Sequence, residues 1–111
     1  MKYLKKFKPI KLSNPAEADL QNIADYTLKE WGKLQKVFYL NLFKQSFLSL
    51  SQNHEAHGLL IKNRDDIDAG LQSYGIKNHI VYFRETKTEL MIIRILHSRM
   101  DPEKNIILRV R

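Results

Sequence analysis

Apolar and polar residues alternate along Pro9-Ile-Lys-Leu12, and the period then lengthens to that of a helix. The first stretch predicts a short strand, with Pro9 at its start or on a sheet edge because proline cannot donate to a ladder. Asn14 is placed to cap a helix, Pro15 suits the first helical position, and Glu17 follows the cap as in a capping box. Leu20, Ile23, Ala24, Thr27, Leu28 and Trp31 recur at helical spacing, and Gly32 can take the left-handed conformation that closes the helix. A second helix is predicted from Lys33 to Leu50. It carries one apolar stripe of Leu40, Phe43, Phe47 and Leu50 and another of Leu34, Val37, Phe38 and Leu48. A helix apolar on two sides is covered on two sides, by the first helix and the sheet or, in part, by a partner protein.

Ser51 to Asp68 is polar and reads as a loop, pinned by Leu59-Leu-Ile61. Leu71 to Tyr74 predicts a strand, and Gly75 allows a bend or bulge after it. His79 to Arg84 and Leu90 to Leu96 are the clearest strands, joined by the polar turn Glu85-Thr-Lys-Thr-Glu89. Strict alternation turns Val81, Phe83, Met91, Ile93 and Ile95 toward the helices. Ile80, Tyr82, Arg84, Leu90, Ile92, Arg94 and Leu96 take the other face, whose mixture of apolar groups and guanidinium groups fits a surface open for binding, or a half-solvated sheet. The expected fold is α+β: an N-terminal strand, an α-helical hairpin and a three-stranded antiparallel sheet. Residues 1–111 form one domain, with a basic arm at 1–8 and a tail at 102–111 that adds a short strand or docks into a partner.

Composition narrows the partners. Lys and Arg number 19 against 12 Asp and Glu, a formal charge of +7 that favours nucleic acid or an anionic protein surface, though it also serves solubility alone. The chain has no cysteine, no apolar run long enough to span a bilayer, and no apolar signal-peptide core behind its basic N-terminus. A cytoplasmic protein with no membrane association is expected.

No Walker loop, dinucleotide-binding glycine turn or nucleophile elbow is present; of His54, His57, His79 and His97, the first two lie three apart in a loop and are not completed to a metal set in sequence. No metal or cofactor is expected. The residues left for chemistry are His97, Arg99, Arg84, Arg94, Tyr82 and Lys77. A metal-free ribonuclease needs a base near neutrality, cations about the phosphate and an acid for the leaving oxygen. His97 could be the base or acid and Arg84, Arg94 and Arg99 the clamps. Sequence shows no second titratable group beside His97, and a strand-end histidine commonly bonds locally.

Several stretches carry a family resemblance. Pro15-x-Ala-x-x-Asp19-Leu20-x-x-Ile23-x-x-Tyr26-Thr resembles the first helix of ParE-type toxins of the RelE/ParE superfamily. Trp31-Gly32-x-x-Gln35-x-x-x-Tyr39 is similar to their helix junction. Gly70-Leu-x-Ser-Tyr74, His79-Ile-Val-Tyr-Phe-Arg84 and Arg94-Ile-Leu-His-x-Arg-Met-Asp101 follow their strands. The resemblance covers about residues 9 to 103; Gln72 and Gly75 depart from it, as do extra basic residues at both ends. It implies a toxin of a type II toxin–antitoxin system that inhibits DNA gyrase by binding and is neutralised, in a hetero-oligomer, by a cognate antitoxin. RelE-like cousins on the same fold instead cleave mRNA on the ribosome, and a degenerate toxin that keeps fold and antitoxin binding is a further possibility. The expected target contacts are Arg84, Arg94, His97, Arg99 and Asp101. Antitoxin contact is expected at Trp31, Phe43, Phe47 and Tyr82. Met100 is expected in the core, and Asp101 either pairs with Arg99 or caps a turn starting at Pro102.

Overall fold

A computed structural model describes residues 8–52 and 61–107. Strand β1 (Ile10–Leu12) leads into helix α1 (Asn14–Trp31) and helix α2 (Lys33–Gln52). Strands β2 (Ile61–Asn63), β3 (Gln72–Ile76), β4 (His79–Glu85) and β5 (Leu90–His97) follow, then a π-helical turn at Glu103–Ile107. The expected α+β order holds, but the sheet has five strands, ordered β1-β5-β4-β3-β2. Two short edge strands account for the difference. β1 joins β5 in parallel, and β2 emerges from the stretch read as loop to pair antiparallel with β3. Such short edges offer little to a foreign strand. Leu59, the basic arm before Lys8 and the tail after Ile107 lie outside the described residues.

Helix α1 starts one residue earlier than its sequence suggests. Ser13, not Asn14, is the N-cap: its hydroxyl accepts from the Ala16 amide at 3.1 Å and donates to the Ile93 carbonyl at 2.6 Å. Gly32 closes the helix as expected, with φ 91° and its N–H donated to Leu28 O at 3.0 Å.

The β4–β5 register breaks between Tyr82 and Phe83. Tyr82 pairs with Arg94 but Phe83 with Ile92, so Ile93 is an extra residue in β5. A one-residue slip reverses the faces beyond it. Leu90 and Ile92 therefore join Val81, Phe83 and Ile95 in the core beneath the helices, with Phe43, Phe47 and Leu50. Met91 and Ile93, expected in that core, are not among its buried residues. β1 covers β5 only as far as Ile92. The α1 start takes over there: the Ser13 amide donates to Ile92 O at 2.9 Å, its hydroxyl to the bulge carbonyl, and Asp19 accepts the Ile95 amide at 2.9 Å.

The opposite sheet face, expected to be open, carries its own core. Ile67, Leu71, Tyr82, Leu96 and Ile106 are buried together there, so the C-terminal turn folds over the sheet.

Candidate functional site

A cleft of about 1080 Å³ opens between the helical hairpin and one end of the sheet. The close of α1 supplies Tyr26, Thr27 and Trp31, and the start of α2 supplies Phe38 and Tyr39. The β3–β4 turn, the start of β4, β5 and the C-terminal segment contribute Lys77, Asn78, His79, Arg94, His97, Met100 and Asn105. Lys77 opens the two-residue turn with φ 53°, a conformation uncommon for a side chain larger than glycine, and projects into solvent.

Sequence left His97 without a titratable neighbour, and the fold provides one. His79 and His97 are paired across β4 and β5, with ring centroids 5.4 Å apart and edge-on. Tyr39 of α2 completes the group, its hydroxyl 2.6 Å from His79 Nδ1. Burial, and then the charge of His97, hold the His79 imidazole below its ordinary range, with Asp19 opposing. Burial pushes the Tyr39 phenol up, against the Asn78 backbone N–H, which favours the phenolate. The signal for this cluster was a helical Tyr39 and two strand histidines; only register could join them.

The guanidinium groups are not free as expected. Arg94 is 7% exposed and forms a bidentate pair with Asp19, Nε–Oδ2 2.7 Å and Nη2–Oδ1 2.9 Å, while Nη1 donates to Asn105 O at 2.7 Å. Arg84 is half-buried and paired with Asp68. Both are thus tied to carboxylates of this chain. His97 is half-buried, and Arg99 and Asp101 are exposed. The Arg99 amide donates to His97 Nδ1 at 3.2 Å, and Asp101 caps the final turn by accepting the Glu103 amide at 2.9 Å. Met100, expected inside, is 42% exposed.

The expected antitoxin contacts also divide. Phe43, Phe47 and Tyr82 are buried in the two cores and present no surface. Trp31 is 71% exposed, and Leu28, Leu34, Val37 and Phe38 near the helix junction are exposed too, so the first half of the second stripe of α2 faces outward while its Leu48 is half-buried. Sequence marked both stripes; which one the sheet would cover was a tertiary choice.

The architecture is thus a helical hairpin laid on one face of a five-stranded sheet, with apolar side chains left uncovered about the helix junction. The family model of the ParE toxin of the type II toxin–antitoxin system, parDE, matches residues 10–102. Toxin ParE of Escherichia coli is 30% identical over 81% of this chain and 84% of its own length. Toxin ParE1 of Caulobacter vibrioides is 28% identical over 89% of this chain and 98% of its own. Among solved structures, a chain of the chromosomal ParDE system from P. aeruginosa superposes with a TM-score of 0.66 at 19% identity, covering 82% of this chain and 96% of that one. The chain belongs to the ParE toxin family of type II toxin–antitoxin systems.

Proposed function

We propose that the protein is a cytoplasmic toxin that inhibits DNA gyrase by binding, without bond-breaking chemistry of its own, and that a cognate antitoxin neutralises it by covering the outward stripe of the helical hairpin. The observation that carries this reading is the patch of Trp31, Leu34, Val37 and Phe38, with Leu34 88% exposed. A contiguous apolar patch on a small soluble domain marks a protein contact. The exposed Ser98, Arg99 and Asp101, just beyond β5, offer the gyrase contacts, since Arg84 and Arg94 are already engaged.

One observation favours a second reading, ribosome-dependent mRNA cleavage: the His79–His97 pair supplies two imidazoles side by side, as an acid and a base would be. Purified protein added in parallel to a gyrase supercoiling reaction and to translating ribosomes separates the two. Loss of supercoiling with intact mRNA supports the inhibitor. Cleaved mRNA, abolished by His97→Ala, overturns it.

A further inference from the structure

Both cleft histidines have Nδ1 engaged within the chain. The Arg99 amide donates to that atom of His97. The Tyr39 hydroxyl lies 2.6 Å from Nδ1 of His79, within reach to donate its proton there. When neutral, His97 therefore carries its hydrogen on Nε2, and His79 does so when Tyr39 is the donor. Among the described residues, neither Nε2 has a hydrogen-bond acceptor. Two N–H donors on neighbouring rings in a partly buried cleft are thus left for an outside acceptor.

The surrounding charges select an anion. Lys77 lines the cleft and Arg99 follows His97, both exposed. The carboxylate of Asp19 on α1 is filled by Arg94 and the Ile95 amide, and that of Asp101 accepts the Glu103 amide. Tyr39 faces His79 from α2 and Arg94 lines the cleft from β5. The walls select the anion's source. A nucleic acid would stack its bases on aromatic planes. Here Trp31 and Phe38 line the cleft, and outside it the exposed aliphatic Leu34 and Val37 lie within one helical turn of Phe38 on α2, a surface that suits the apolar residues of an amphipathic protein segment.

We infer that the His79–His97 pair is a proton-linked carboxylate site, receiving an acidic side chain of an amphipathic antitoxin segment whose apolar residues lie on Trp31 and Phe38. The inference rests on the antitoxin reading above and adds the chemistry of the contact. Binding of the carboxylate favours the imidazolium. His79 takes up a proton at Nδ1, and the Tyr39 hydroxyl turns from donor to acceptor. Each state of the ring keeps a bond to Tyr39, so the switch needs no movement of the backbone.

The test uses the full chain and the antitoxin encoded beside it, titrated by calorimetry at pH 6.0 and 8.0 in buffers of different ionisation enthalpy. We expect net proton uptake and binding several-fold tighter at the lower pH, up to the limit of about tenfold that each unit of linked pKa shift sets. His79→Gln should still bind, with the pH dependence flattened. In the wild type, NMR titration of the His79 ring should show its protonation moving to higher pH in the complex. Wild-type binding that is flat with pH and free of proton uptake overturns the inference and leaves the antitoxin reading standing. Failure to bind at either pH overturns both. Perturbation of the His79 ring by a single-stranded oligonucleotide but not by the antitoxin overturns it in favour of a phosphate site.

Discussion

Asp19 and Arg94 join the first helix to the last strand through two N–H···O bonds of 2.7 and 2.9 Å, across 75 residues of sequence. The Asp19 Oδ2 atom also accepts the Ile95 amide, and Arg94 also donates to Asn105 O. One ion pair therefore holds α1, β5 and the C-terminal turn together. With side-chain exposures of 9% and 12%, it is shielded from water and salt.

Removing one partner leaves the other charged and buried. Asp19→Ala should destabilise the protein by about 3–5 kcal/mol, and Asp19→Leu combined with Arg94→Met should cost less than the sum of the two single changes. Arg84→Ala should cost under about 1 kcal/mol, because its pair with Asp68 is more open to solvent. Urea denaturation midpoints of the five proteins check the ranking; equal losses for Arg84→Ala and Asp19→Ala would refute it.

The helix start gives a second contrast. Ser13→Ala removes both the cap and the bond to the bulge carbonyl, and should cost about 1–2 kcal/mol. Asn14→Ala should change stability by less than about 0.5 kcal/mol, since Asn14 is exposed and Ser13 caps the helix. Thermal unfolding decides which residue carries the cap.

The two aromatic faces of the hairpin should separate stability from partner binding. Phe43→Ala empties a site 1% exposed and should cost about 3–5 kcal/mol. Trp31→Ala should leave stability within about 0.5 kcal/mol of wild type. It should weaken antitoxin binding by about 2 kcal/mol or more, the loss typical of an aromatic anchor. Denaturation and calorimetric titration together test this; a Trp31→Ala protein that binds normally would move the antitoxin elsewhere.

Acid should destabilise the free protein through His79. Its imidazole is held below the ordinary value by burial and by His97, so the unfolded chain takes up this proton first as pH falls. The stability it supplies is fully present above about pH 6.5 and is lost as pH falls through the lower, folded value. Tm should decline between about pH 7 and 5, and His79→Gln should remove part of that decline. A variant with an unchanged Tm–pH profile would exclude His79 as the cause.

Local signals carried far in this chain. Helical spacing, the glycine after Trp31 and the alternation of β4 located the main elements, because each depends on residues within a few positions of one another. Short edges did not announce themselves: β1 and β2 are three residues each and owe their strand form to β5 and β3 beside them. The Ile93 bulge likewise has no local mark. It arises where β1 ends and Ser13 captures the freed carbonyl, and it sent Leu90 and Ile92 to the opposite face from simple alternation.

Sequence by itself determined the family, the order of the helices and central strands, and the presence of two apolar stripes on α2. Tertiary structure alone decided which stripe faces solvent, that Arg94 is consumed by Asp19, and that Tyr39, His79 and His97 meet. The reason is one of range. Periodicity is written in neighbours along the chain, whereas burial and charge pairing are settled between residues far apart in sequence, as in Tyr39 with His79 and Asp19 with Arg94, when sheet and helices close on each other.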